Sequence, residues 1–293
     1  TDPGDLPVAT DAPSPEDAAD TTDAPDVLPP FVWAAGCEGP GTGAAWTPIP
    51  DTTFLRGPLM QMSDRDRATI VWRTANPSAA EGCVDASWGD AATTVCGPAD
   101  ANGQYAVRLE GLPPATEVGY IARVGDLHTA KLSFRTLPDR PVPVKFAVFA
   151  DAHSNVTNLQ KMSALALAEG VDFAVAVGDL TGSGQVEEFD ATFDGFRDLG
   201  TRVNVWAVIG NHDEKNMSAY FDAFVLPEGN TGEAAAGLGE GYWARRMGNV
   251  WIGGGWIRDY YLSTPDATWG QAGWFRDQFQ TTEFQTAQWR LFF

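Results

Sequence analysis

Three short groups of residues carry most of the chemistry in this chain. Asp151-Ala152-His153, Gly178-Asp179 and Gly210-Asn211-His212-Asp213 offer carboxylates, imidazoles and an amide oxygen. That donor set suits metal ions of the Zn, Mn or Fe type, which take nitrogen and oxygen ligands at about 2.0–2.2 Å. In an Asp-x-His spacing at a strand end, residues i and i+2 share a side, so both can reach one ion. A lone aspartate set centrally can bridge two ions through its two oxygens. Gly178 and Gly210 let the backbone turn tightly beside such a site. Singly the signals are weak, because Asp-x-His and Gly-Asp are also ordinary turn sequences. Gly-Asn-His-Asp is more specific, and two of the chain's three histidines fall within these groups.

Their force comes from where they stand. Val144–Ala150, Val171–Val177 and Val203–Ile209 are near-continuous apolar runs, the pattern of strands buried on both faces of a parallel sheet. Each group of candidate ligands directly follows one of these runs. Between the first two lies a helical stretch, 158–168, with Leu159, Met162 and Leu165 read as one stripe. Between the second and third, Val186, Phe189, Phe193 and Phe196 recur at helical spacing. The order is β-α-β-α-β with right-handed crossovers expected. Open sheets of this kind bind ligands at the carboxyl ends of their strands. The three groups occupy those ends.

Upstream, from 44 to 138, the pattern is all-β. Segments 68–74, 104–109, 118–124 and 130–135 alternate with period two, and turn residues such as Asn102-Gly103 and Gly125-Asp126 separate them. Short strands without helices between them predict a sandwich. Cys83–Trp88 and Ala91–Cys96 read as a hairpin about Gly89-Asp90, with glycine first as a type II′ turn prefers. That register sets Cys83 opposite Cys96, within reach of a disulfide, which would imply an oxidising compartment. Two buried thiols are the alternative. Cys37 is left over.

The 293 residues carry a net charge of −20, which argues against a broad nucleic-acid or anionic-lipid face. Bound cations could still invert the field locally and admit a phosphate. No apolar run approaches the roughly 18 residues of a membrane span. The first 30 residues hold eight acidic residues, seven prolines and no Lys or Arg. Residues 1–43 are accordingly expected to be a disordered tether. Two readings of it stay open: a stalk at a cell surface, behind a lipidated cysteine as in a lipoprotein, or a plain solvated tail. Trp243, Trp251, Trp256, Trp269 and Trp274 are read as core rather than as a cleft lining, and Gly253-Gly254-Gly255 as a strand-end kink.

The succession Asp-x-His, Gly-Asp, Gly-Asn-His-Asp resembles the calcineurin-like metallophosphoesterase superfamily, over 144–293. The stretches Gly57–Gln61, Ala68–Thr74, Leu109–Thr116 and Phe134–Pro138 resemble the fibronectin-III-like N-terminal domain of purple acid phosphatases, with Val118 where an aromatic is usual and Tyr120 as its substitute. The resemblance implies a fibronectin-III-like β-sandwich followed by an α/β catalytic domain. It implies hydrolysis of a phosphate-ester substrate, mono- or diester, outside the cytoplasm, as a secreted or cell-surface protein. Two divalent or trivalent metal ions (Fe, Zn or Mn) would be the cofactors. Asp151 and His153 would hold the first ion, Asp179 would bridge, Asn211 would hold the second, and His212 would be the outer-sphere acid. Asp213 would either orient His212 or be a surface residue.

Two departures qualify that reading. Purple acid phosphatases carry Gly-Asp-x-x-Tyr, whereas the fourth residue here is Gly182, and His153 offers an imidazole instead. The family's later histidine motifs would follow the strand begun by 289–293, so the chain is expected to be truncated at its C-terminus, with a second site short of imidazoles. His128 is expected on the surface. The alternative from another class is a non-catalytic cell-surface protein that keeps the fold for binding.

Overall fold

The structure, a computed structural model, describes residues 54–75, 80–227, 241–256 and 270–293, all within one compact unit, 33–293. The expected tether, Cys37 and Trp269 lie outside the described residues.

The N-terminal region is sheet-rich. Strands β1 (Arg56–Gln61), β2 (Arg67–Arg73) and β5 (Gln104–Glu110) form one antiparallel sheet in the order β1-β2-β5. A second contains β3 (Gly82–Trp88), β4 (Ala91–Gly97), β6 (Glu117–Val124), β7 (Leu127–His128) and β8 (Leu132–Arg135). Period-two alternation sends Ile70, Trp72, Tyr105 and Val107 from one sheet, and Val84, Val118, Tyr120 and Phe134 from the other, into a single apolar core. The hairpin has the expected register, Trp88 facing Ala91 and Cys83 facing Cys96. Gly89 takes a φ of 53°, as the turn requires. The two cysteines are joined, with Cα atoms 4.1 Å apart. His128 is exposed.

Downstream the chain runs β9 (Phe146–Ala150), α1 (Val156–Ala168), β10 (Phe173–Val177), α2 (Val186–Gly200) and β11 (Asn204–Val208). The three strands are parallel in the order β11-β10-β9. β10 and β11 are buried on both faces, as the apolar runs predicted. β9 is not: among the described residues it is an edge strand, and Val148 is 46% exposed. A run of apolar residues cannot by itself separate an edge from a centre.

The α1 stripe also differs from expectation. Leu159 is buried, but Met162 and Leu165 are 42% and 67% exposed. Steps of three residues drift by about 60° each on a 3.6-residue helix, so 165 has left the face of 159. The buried face is Leu159, Ser163, Ala166 and Leu167. It meets α2 closely, with Ser163 Oγ donating to the Gly195 carbonyl at 3.1 Å.

After helix α3 (Met217–Ala223), a third sheet, β12 (Trp243–Met247), β13 (Val250–Gly254) and β14 (Trp289–Phe292), carries helices α4 (Gly270–Gln278) and α5 (Thr282–Gln285) between its last two strands. Trp243 and Trp251 are core residues, the former donating to the Ala207 carbonyl at 2.7 Å. Gly254 is where β13 ends, and its missing side chain makes room for the Trp243 ring.

The N-terminal sheets pack directly on α2. Leu59 of β1 lies against Gly200, where a Cβ would approach it to 2.3 Å. The Tyr120 hydroxyl donates to the Thr201 carbonyl at 3.0 Å. Arg56 and Arg73 converge on Asp190, at 3.3 and 2.8 Å. Burial lowers the Arg56 pKa to about 10, with Asp190 opposing the shift. Removing one partner of a buried pair leaves the other charge uncompensated. Asp190→Ala is therefore expected to destabilise the protein by about 3–5 kcal/mol, read from the denaturant midpoint.

Candidate metal centre

All three groups of candidate ligands sit at the carboxyl end of the parallel sheet, and backbone bonds stitch them together beyond the strands. Asp151 N donates to the Gly178 carbonyl (3.3 Å), His153 N to that of Asp179 (3.0 Å), Ser154 N to that of Leu180 (2.8 Å) and Gly178 N to that of Val208 (3.0 Å). The chain pays for this path in backbone strain. Asp151, His153, Ser154 and Asp179 all have φ between 46° and 56°. Left-handed non-glycine residues cost of order 1–3 kcal/mol each and persist only where their surroundings fix them.

The two glycines of the motifs are required by contact. A Cβ on Gly210 would lie 2.1 Å from Asp179 N and 2.3 Å from its Oδ1, and one on Gly178 would lie 2.9 Å from the Gly210 Cα. The two loops therefore pass backbone against backbone. That approach brings His212 N within 2.8 Å of Asp179 Oδ1, to which it donates.

Asp213 anchors this junction. It is neither a surface residue nor bonded to the His212 ring: it is fully buried at the start of a 3-10 turn, Asp213–Asn216. Its Oδ1 accepts from Thr181 N and Thr181 Oγ1, both at 2.9 Å. Its Oδ2 accepts from Gly210 N at 3.0 Å and Leu180 N at 3.3 Å. One carboxyl group thus ties the loop after β10 to the loop after β11.

Above this clasp, His153, Asp179 and His212 each offer a ligand atom within 4.8 Å of the other two. The imidazole rings are 4.7 Å apart, centre to centre. Two donors on one ion stand at most about 4.4 Å apart if bonds are near 2.2 Å. The 4.8 Å limit lies just above that span, and the donor chemistry of two imidazoles and a carboxylate fits a metal of the type the motifs suggest. Asp151 and Asn211 are exposed at the same strand ends. The Asp151 carboxylate is not part of the 4.8 Å group. Asn211 is flanked by the two backbone amides that Asp213 and Asp179 hold.

The sequence reading missed what holds His212. Its Nδ1 lies 2.5 Å from the Gly182 carbonyl and 3.1 Å from Lys215 Nζ, which itself donates to that carbonyl at 3.1 Å. Gly182 was noticed for lacking a tyrosine side chain, yet its backbone oxygen is the relevant group. Trp256, half-buried, donates through Nε1 to Glu214 Oε2 at 3.0 Å.

The family model for calcineurin-like phosphoesterases matches residues 144–290, the region that carries this centre. The chain belongs to that family. No curated protein is significantly similar to it. Among solved structures, purple acid phosphatase PPD1 from yellow lupin (Lupinus luteus) seeds matches with a TM-score of 0.62 at 14% identity, over 83% of this chain and 51% of that one. A structure of PhoD matches with a TM-score of 0.51 at 13% identity, over 71% of this chain and 52% of that one. Both likenesses concern the fold, and the chain spans about half the length of each. The first extends beyond 144–290 into the N-terminal sheets.

The clasp generates a prediction. Asp213→Ala orphans three buried backbone amides, so it is expected to cost about 3 kcal/mol or more and to weaken metal binding. Denaturant unfolding and zinc titration check it.

Proposed function

We propose that this chain belongs to a metal-dependent hydrolase of phosphate esters acting outside the cytoplasm. The observation that carries the reading is the convergence of His153, Asp179 and His212 at the ends of consecutive parallel strands, the first two on left-handed backbone. Membership of the phosphoesterase family supports the reaction class. In this reading Asp151, His153, Asp179 and Asn211 hold one or two ions of Fe, Zn or Mn. Such ions supply Lewis acidity and lower the pKa of water, the chemistry an in-line attack on phosphorus needs.

The chain's own residues then position and exclude. Asp179, its Oδ1 fixed by His212 N, presents its carboxylate from between the two loops. His212, held through Nδ1, turns its other nitrogen toward the reacting group. It protonates the leaving oxygen or joins the ligands. The N-terminal sheets would be a fibronectin-III-like sandwich that braces α2. The Cys83–Cys96 disulfide supports an oxidising compartment.

The test is metal content together with hydrolysis of aryl phosphate mono- and diesters. His153→Ala and Asp179→Ala should lose metal and turnover together. His212→Ala should keep its metal and lose about 10²-fold or more in turnover if the ring is an acid. Equal loss of metal would make it a ligand. Metal binding without hydrolysis of any ester would favour the non-catalytic alternative.

A further inference from the structure

Gly182 sits in the loop 180–185 that leads from β10 into α2, and its carbonyl is what the His212 ring leans on. Nothing in Gly182 itself fixes that carbonyl. A glycine has no Cβ to restrict its backbone, so the peptide that follows it can turn over at little cost. The direction of the carbonyl must be set by the other end of the same peptide unit. That unit is planar and trans, so its N–H and C=O point opposite ways. The N–H belongs to Ser183, and it donates to Glu188 Oε2 at 2.8 Å.

Glu188 does more than receive that one bond. The same oxygen accepts from Ser183 Oγ at 2.9 Å and from Gln185 N at 3.1 Å. Burial alone would raise the Glu188 pKa, but these bonds and one from the Gly182 amide outweigh it and leave the carboxyl below its ordinary range. On the near side, Thr181 is fixed by Asp213 and accepts from Gly184 N at 3.1 Å. The loop is thus anchored on both sides of Gly182. Asp213 holds the side toward the sheet, and Glu188 the side toward the helix.

We propose that Glu188 is a positioning residue for His212: by pinning the Ser183 amide it aims the Gly182 carbonyl at His212 Nδ1, which keeps the proton on Nδ1 and leaves Nε2 bare to face His153 and Asp179. This rests on the reading in which His212 joins the metal ligands rather than acting as the acid, because a bare Nε2 offers a lone pair and has no proton to give. It makes a glutamate in the first turn of α2, which touches neither ligand nor substrate, responsible for the tautomer of a ring at the site. Lys215 Nζ donates to the same carbonyl and also stands 3.1 Å from Nδ1, where an ammonium can only donate, so it competes for that nitrogen; the proposal gives the proton to Nδ1 because the carbonyl contact, at 2.5 Å, is the shorter.

The test uses protein labelled with ¹⁵N at histidine, where only three rings contribute signals. The wild-type His212 ring should show a single tautomer with a slowly exchanging Nδ1 proton. In Glu188→Ala the ring should shift toward the Nε2-protonated form, its Nδ1 proton should exchange faster, and zinc affinity should fall roughly 10–100-fold. Glu188→Gln keeps one acceptor oxygen and should fall between the two. Glu187→Ala, one residue away and exposed, should match the wild type. A folded Glu188→Ala protein with unchanged His212 signals and zinc affinity overturns the proposal. If that variant does not fold, Glu188→Gln decides: intermediate signals support positioning, and signals identical to wild type overturn it. The imidazole signals are read on metal-free protein without substrate. They therefore judge Glu188 even if the protein binds no zinc or hydrolyses no phosphate ester, which are the results that would sink the reading of function instead.

Discussion

A buried carboxyl group has to be met by hydrogen-bond donors, and Asp213 is met by four, all from two loops that are remote in sequence from each other's strands. The requirement works in both directions. The carboxyl is satisfied only if Leu180, Thr181 and Gly210 bring their amides to one point, and those amides are satisfied only if the carboxyl is there. Everything above the clasp inherits its position from it. The contact between Gly178 and Gly210, the bond from His212 N to Asp179 Oδ1 and the left-handed backbone at Asp179 all occur where these loops meet. A left-handed aspartate costs about 1 kcal/mol or more, and a buried hydrogen bond contributes a similar amount. Four such bonds at one carboxyl are enough to hold an unfavourable backbone in place beside it.

Helix α2 connects this junction to the rest of the molecule. Its first turn supplies Glu188 to the loop beneath His212. Its middle supplies Asp190 to Arg56 and Arg73, and its end supplies Gly200 and the Thr201 carbonyl to Leu59 and Tyr120. One element therefore faces the candidate centre at one end and the N-terminal sheets along the remainder. Those sheets do more than space the centre from a surface. They cover α2 at Asp190, at Gly200 and at the Thr201 carbonyl that follows it.

What the sequence made legible was local. Buried strands announce themselves by continuous apolar runs, and the hairpin register follows from two turn residues, so the parallel sheet and the Cys83–Cys96 pairing could be read directly. The candidate ligands could be found because they follow those strands immediately. Features that depend on distant partners could not be read. Asp213 looks the same in sequence whether its oxygens meet water or the amides of Leu180 and Thr181. Gly182 attracted notice for an absent side chain, whereas its contribution is a carbonyl. The α1 stripe failed because the exact face depends on where α2 lies, and Gly195 admits Leu159 and Ser163 rather than Met162. The exposure of Val148 beside the buried Phe149 was hidden for the same reason, because which face of β9 is covered depends on partners distant in sequence.

The charge of the chain bears on the order of events at such a centre. Charges farther than about 8 Å are screened at physiological ionic strength, so the net −20 matters less than the groups nearby. Among the described residues those are Asp151, Asp179, Asp213 and Glu214 against the ammonium of Lys215. The local balance is acidic, and an anionic phosphate would be repelled by it. Bound cations would reverse that balance, and Lys215 and the imidazoles would then act on a phosphate in the same direction as the field around them. On the proposed reading, the carboxylates that bind metal are thus the same groups that exclude substrate before metal arrives. On that reading loading would precede substrate binding as a consequence of charge, and the junction that Asp213 ties beneath the ligands would keep mutually repelling carboxylates close together.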